Sequence, residues 1–221
     1  MRYLALATDY DGTLAHDGQV DEETVAALRR LVPAGCKLIL VTGRQLGDLY
    51  RVFPQFALFD RIIAENGAVV ANPSTGEVRT IADPPPPQLV SALESRGVRP
   101  LYRGQVVLAT VEPSGRLARD AIADLGLDFK VILNKGSVMI LPTGVDKASG
   151  LRVALEELAI PAKQTLAIGD AENDQALLEM AGCAVAVANA LDEIKQAADL
   201  VTRADHGAGV RELIDRLLDA G

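Results

Sequence analysis

Three things are scarce in this chain: long apolar runs, cysteine and surplus positive charge. The apolar opening from Met1 to Ala7 is cut at Asp9 and Asp11, far short of the roughly 20 apolar residues of a membrane helix or the length of a secretory leader. A cytoplasmic protein is therefore expected. The only cysteines are Cys36 and Cys183, too few for a disulfide framework; each lies beside an apolar run and reads as a reduced, buried thiol. A formal net charge of -8 argues against general affinity for nucleic acid or for an anionic membrane surface. What is present is ordinary for a folded protein, with 49% hydrophobic and 24% charged residues in 221, enough to bury a real core. That length suits one large domain, or an ordinary domain carrying a smaller insertion.

Short apolar runs recur along the chain and end on polar residues. Residues 3 to 9, Lys37 to Thr42, Arg61 to Ala64, Thr165 to Gly169 and Cys183 to Ala188 read as buried strands. Helical patterns such as Glu22 to Leu31, Glu172 to Ala181 and Val210 to Leu218 separate them. This alternation predicts an α/β fold, a doubly wound, Rossmann-like parallel sheet with helices on both faces. Ligands of such sheets bind beyond the carboxyl ends of the strands, where strand order reverses. Asp83 and the run Pro84 to Pro87 interrupt the pattern with residues that cannot propagate a helix or donate to a sheet, and mark the entrance to an insertion. Within it come a helix from Leu89 to Ser95, a strand from Gln105 to Val111, a helix from Arg116 to Leu125, and strands Phe129 to Leu133 and Ser137 to Leu141. Asn134-Lys135-Gly136 between the last two reads as a hairpin turn. The insertion is thus a small α+β unit, an antiparallel sheet with two helices on one face. Residues 83 to 142 hold 7 basic and 6 acidic residues, against 15 and 24 in the rest, so an acidic body carries a mildly basic middle.

Four motifs sit at strand ends. In Asp9-Tyr10-Asp11-Gly12-Thr13, residues two apart on an extended chain point the same way, so both carboxylates are expected to face one point and to need a cation or a shifted pKa. The same residues also suit a plain Asx-type turn. Thr42-Gly43-Arg44, at the start of an expected helix, offers a hydroxyl and backbone N–H groups to an anion, or else a threonine N-cap beside a solvated arginine. Lys147 opens a helix capped by Asp146, where a cation costs about 0.3 to 1 kcal/mol against the helix dipole. An anion nearby would explain it; simple solvation is the alternative. In Gly169-Asp170-Ala171-Glu172-Asn173-Asp174, Asp170 and Asp174 can both face the crevice as oxygen ligands of the kind magnesium accepts, or serve as ordinary first-turn acids.

The order and placement of these four motifs resemble the haloacid dehalogenase superfamily of phosphotransferases across nearly the whole chain. The insertion between the second and third motifs resembles the Cof-like branch with its αβ caps. Chain size and the Glu65-Asn66-Gly67 turn are similar to those of archaeal-type phosphoglycolate phosphatases and sucrose-phosphate phosphatases. The resemblance implies a core of residues 1–82 and 143–221, a cap of residues 83–142 that closes near the proline run, and hydrolysis of a small soluble phosphomonoester. It implies Asp9 as nucleophile and Asp11 as the acid and base. Mg2+ would be held by Asp9, the backbone carbonyl of Asp11, Asp170, and Asp174 or Asn173 through water. Thr42 and Lys147 would hold phosphoryl oxygens.

Gly43, Arg44 and Asn66 are candidate substrate contacts, as are Arg103, Lys135 and Ser137. For Arg44, Asn66, Arg103, Lys135 and Ser137 a solvated or turn-forming role is the plainer reading. His16 reads as a solvated loop residue, and His206 as a loop or helix-start residue without a partner. A monomer or homodimer is expected. The competing readings are a phosphomutase of the phosphomannomutase type, a phospho-accepting signalling module and a non-catalytic phosphate-binding protein. Phosphate release without a bisphosphate activator would argue against the first, while the inserted cap argues against the second and acids at the motifs against the third.

Overall fold

A computed structural model describes residues 3–134 and 136–219. The chain divides into two compact units, Met1–Arg79 with Asp146–Gly221, and Thr80–Val145. Its first segment forms β1 (Ala5–Asp9), α1 (Glu22–Leu31), β2 (Lys37–Val41), α2 (Leu46–Val52), β3 (Arg61–Ala64), β4 (Val69–Ala71) and β5 (Val78–Thr80). The middle forms α3 (Pro87–Ser95), β6 (Tyr102–Arg103), β7 (Leu108–Val111), α4 (Gly115–Asp124), β8 (Phe129–Asn134) and β9 (Ser137–Pro142). The last segment forms α5 (Lys147–Leu158), β10 (Thr165–Gly169), α6 (Gln175–Met180), β11 (Cys183–Ala186), α7 (Asp192–Ala197), β12 (Leu200–Val201) and α8 (His206–Asp219).

The larger unit is built on a sheet of order β12-β11-β10-β1-β2-β3-β4-β5, parallel from β12 to β3. Both Leu6 and Leu38, with Leu166 and Ile168 across the sheet, are essentially inaccessible. Each such side chain contributes about 1.5 to 3 kcal/mol by leaving water. Apolar residues without alternation are what a strand covered on both faces requires. From β1 the chain steps through α1 to β2; from β10 it steps the other way through α6 to β11. Right-handed crossovers in opposite directions put their helices on opposite faces, and α1 packs with α8 while α5 packs with α6. The order reverses at β1, so the crevice lies beyond its carboxyl end.

One edge departs from the all-parallel expectation. β4 runs antiparallel to β3, because four residues, Glu65 to Ala68, cannot make the crossover that a parallel return needs. In the smaller unit the sheet is β6-β7-β9-β8, antiparallel throughout. Leu108 and Ile140 are cross-strand partners and share one cluster with Leu89 and Leu93 of α3 and Ala118, Ala121 and Ile122 of α4, so both helices cover the same face. The strand expected from Gln105 begins only at Leu108, because Gly104 donates its N–H to the Val107 carbonyl in the tight reversal joining β6 to β7. Pro87 opens α3, where a missing N–H costs nothing. Cys36 and Cys183 are both buried and are not joined in a disulfide. Lys135, the centre of the expected hairpin turn, lies outside the described residues.

Candidate active site

β1 delivers Asp9 to the crevice and then turns. Leu14 donates its N–H to the Asp9 carbonyl, Ala15 to that of Tyr10 and Gly12 to that of Ala15, a reversal that Gly12 permits with φ of 95°. Asp9 is 3% exposed. Its Oδ1 accepts from Lys147 Nζ at 2.6 Å, and its Oδ2 has no partner. Lys147, 1% exposed, is the first residue of α5, behind an Asp146 and Ser149 capping box. Its Nζ also donates to Asp174 Oδ1 at 2.5 Å. The other Asp174 oxygen accepts the backbone N–H groups of Asp170 and Ala171, both at 3.0 Å, and Thr13 donates its hydroxyl to Asp170 at 3.1 Å. The cation that opposes the helix dipole is thus matched by two buried acids.

Asp9, Asp170 and Asp174 each bring an oxygen to within 4.8 Å of the others. Three ionised carboxylates against one ammonium would leave two negative charges in a buried site, which is costly unless a cation enters or a proton is bound. An all-oxygen set with an orphaned buried Asp9 Oδ2 fits a hard divalent ion such as Mg2+. Burial pushes the Asp9 carboxyl up, to about 8, helped by Asp174 and Asp170 and opposed by Lys147. Burial alone would lower the Lys147 pKa, but Asp174 and Asp9 outweigh it and raise it.

The raised Asp9 value has a thermodynamic sign. Unfolded, this group titrates near 3.8 and folded near 8, so its contribution to stability is present below the first value and lost as pH rises through the second. Metal-free protein is expected to lose this contribution between those limits, and Mg2+, which binds the ionised carboxylate, to stabilise more at about pH 8 than at about pH 6. Thermal melts with Mg2+ and with a chelator check this. An Mg2+ effect equal at both values would sink it.

Asp11 does not share that point. Its carboxylate takes a forked pair from Arg44, at 2.7 Å from Nη2 and 2.8 Å from Nε, and Arg44 Nη1 reaches Asp48 at 2.8 Å. The expectation that the Asp9 and Asp11 carboxylates converge fails because the strand ends at Asp9 and its alternation ends with it. Arg44 is likewise no solvated residue; it also lies 5.5 Å over the Tyr10 ring. Thr42 is fully buried. Its hydroxyl accepts from the Arg44 N–H at 3.0 Å, so it closes a local turn over Gly43 and does not cap a helix; α2 begins only at Leu46.

The Glu65-Asn66-Gly67 turn is left-handed throughout, with φ of 51°, 56° and 107°. For the two residues that are not glycine this costs about 1 to 2 kcal/mol each, less for asparagine. Strain of this kind persists where surrounding structure enforces it, characteristically at functional sites. Here Glu65 donates its N–H to the Arg44 carbonyl at 2.9 Å and Asn66 to that of Thr42 at 3.0 Å. Asn66 is 1% exposed, against the expectation of a solvated turn. A Cβ on Gly67 would lie 1.8 Å from the Asp146 carbonyl oxygen, and one on Gly150 2.7 Å from the Gly67 carbonyl oxygen. Backbone contact between this turn and the start of α5 therefore seats Lys147. Gly67→Ala is expected to destabilise the fold by at least about 2 kcal/mol, from the clash and the positive φ together. Chemical denaturation measures it, and a neutral result would dissociate the turn from α5.

His206 and Asn189 carry no sequence signal, yet both serve this site. His206 Nδ1 and Asn189 Nδ2 lie 2.8 and 2.7 Å from the Gly12 carbonyl oxygen, and Asn189 Oδ1 accepts the His206 N–H at 2.8 Å. The His206 ring stacks on His16 at 4.4 Å; His206 does open a helix, α8, but it has partners where none was expected. Asn173 lies beside the acids and donates to Asn66 at 3.2 Å. Arg103 pairs with Glu94 at 2.5 Å inside the smaller unit, and Ser137 is exposed at the start of β9.

Comparison with known proteins gives this geometry a family. Residues 6–95 and 116–214 match the family described as haloacid dehalogenase-like hydrolase. A phosphoglycolate phosphatase of Methanothermobacter thermautotrophicus is 32% identical over 97% of this chain and 98% of its own length. One of Natronomonas pharaonis is 33% identical over 97% of each. The crystal structure of a haloacid dehalogenase-like hydrolase from Bacteroides thetaiotaomicron superposes with a TM-score of 0.84 at 22% identity, covering 97% of this chain and 99% of that one. The match over most of the chain, together with acids gathered at the strand-order reversal, makes this protein a member of the haloacid dehalogenase-like hydrolase family.

Proposed function

We propose that this protein is an Mg2+-dependent phosphatase that hydrolyses a small soluble phosphomonoester, phosphoglycolate foremost, through an aspartyl-phosphate on Asp9. The observation that carries the reading is the Asp9 carboxylate itself: one oxygen is anchored by Lys147 and the other is buried, unpartnered and placed at the carboxyl end of the central strand.

In the first displacement Asp9 Oδ2 forms a bond to phosphorus as the bond from phosphorus to the alcohol oxygen breaks, and Asp11 delivers a proton to that oxygen. In the second, water attacks the phosphorus, gives its proton to Asp11 and frees both inorganic phosphate and Asp9. To act as the acid, Asp11 first leaves its Arg44 partner and takes a proton from solvent, then turns to the ester oxygen. Lys147 and Thr42 hold the phosphoryl oxygens whose charge is redistributed in both steps. Asp9, Asp170 and Asp174, with the Asp11 carbonyl, would hold Mg2+, and the ion supplies neutralisation between an anionic nucleophile and an anionic phosphate. Residues 83–142 serve as a cap that selects the alcohol. Phosphoglycolate is favoured among such esters by the relatives at 32% and 33% identity, matched over nearly their whole length, which are phosphoglycolate phosphatases.

The test is release of free phosphate from a panel of phosphoglycolate, hexose phosphates, sucrose phosphate and nucleotides, with Mg2+ or a chelator and without any bisphosphate activator. Release that needs both Mg2+ and Asp9 supports the phosphatase. Faster release from a hexose phosphate removes the substrate assignment alone, and no release from any ester removes the whole reading.

A further inference from the structure

Among the described residues, two side chains keep a buried polar atom without a partner: Asp9 at Oδ2 and Asn66 at Nδ2. The first is absorbed by the nucleophile. The second stands unexplained, and a buried donor left unspent in the resting protein is costly enough to point to a ligand.

Its surroundings say which ligand. The Asn66 N–H is tied to the Thr42 carbonyl, its Oδ1 is tied to Asn173 beside the acids, and the next residue, Gly67, rests on the backbone of Asp146 and Lys147. Asn66 is thus the residue where the loops carrying Thr42, Lys147 and the Asp170–Asp174 acids meet. Thr42 and Lys147 offer donors there, so the missing acceptor is an oxygen that arrives with substrate. The turn also holds Glu65 and Asn66 at φ of 51° and 56°, a conformation kept by its neighbours and not by local preference.

From this placement we infer that Asn66 Nδ2 donates a hydrogen bond to a phosphoryl oxygen, as a third donor beside Thr42 and Lys147, and so recognises the phosphate and not the alcohol. The inference rests on the proposed phosphatase. It assigns the backbone strain to the work of holding an amide ready for an anion.

Asn66→Gly is the informative substitution, since glycine accepts the positive φ while losing the amide. At saturating Mg2+, inhibition by inorganic phosphate is expected to weaken roughly ten- to hundredfold, the size of one hydrogen bond to a charged group. kcat/KM for phosphoglycolate and for p-nitrophenyl phosphate should fall by the same factor, with no drop in thermal midpoint. Asn66→Asp, equal in size and able to take the same φ, should lose at least as much, and keeps the test alive should the glycine variant not fold.

An unchanged phosphate inhibition constant overturns the inference. A shift in the Mg2+ half-saturation with phosphate affinity intact does so too, because it would make Asn66 a holder of Asn173. Loss confined to one of the two esters overturns it by moving the contact to the alcohol. Wild-type protein that releases no phosphate removes the phosphatase reading and this inference together, whereas an active wild type with an unaffected Asn66→Gly removes this inference alone.

Discussion

Asp9→Asn is expected to fold normally and to release phosphate at least about a thousandfold more slowly than the parent. In the proposed mechanism an amide is a poor nucleophile toward phosphorus, and a cradle of Thr42 and Lys147 would bind without opening a covalent path. Stability should not suffer. The substitution removes one of three carboxylates around a single ammonium and leaves Lys147 paired with Asp174, so the cluster sheds part of its surplus charge. A metal-free thermal midpoint at or above the parent's, together with lost turnover, is the expected signature of a group retained for reaction and not for folding. Near-parental phosphate release by Asp9→Asn would place the nucleophile elsewhere and undo the mechanism.

Lys147→Met is expected to cost stability as well as activity. Its ammonium lies between Asp9 and Asp174 in a region where neither acid meets bulk water. Taking away the shared partner of a buried ion group costs about 3 to 5 kcal/mol, or a thermal midpoint lowered by roughly 10 °C for a chain of this size. Turnover should fall at least about a hundredfold, because in the proposed mechanism the phosphoryl oxygens lose their charged donor, and Asp9 loses its anchor. Mg2+ should restore part of the stability and little of the rate. A midpoint unchanged in the metal-free variant would mean that the carboxylates take up protons in place of the lost ammonium.

What the sequence made legible has a physical pattern. Asp9 and Asp170 each follow a short, unbroken apolar run, and such runs have no other place than the middle of a covered parallel sheet, so their last residues must open on the crevice. Lys147 is readable because a cation in a first helical turn is electrostatically out of place. The Asp11 and Arg44 pair is not readable. It depends on the chain leaving the strand at Tyr10, which the turn bonds around Gly12 decide. The buried, strained Asn66 is hidden for a related reason: a polar residue before glycine looks like any exposed turn, and only the backbone of Thr42 and Asp146 makes it otherwise. The edge strands β4, β5 and β12 are two or three residues long, below the length at which a periodic pattern shows. His206 and Asn189 act through one carbonyl oxygen, and a main-chain acceptor leaves no mark on residue choice.

The register of the central strand also bears on how the protein is made. Ala5 pairs with Lys37 on one side and with Thr165 on the other, so β1 has its first neighbour soon after leaving the ribosome and its second only 160 residues later. At about 5 to 20 residues per second that interval is roughly ten to thirty seconds. Throughout it a strand that is buried along its whole length in the finished fold has one edge unpaired, a surface open to wrong partners. The Thr80–Val145 unit is synthesised within the same interval and is contiguous in sequence, so it can be complete while the strand that carries Asp9 still waits for its neighbour.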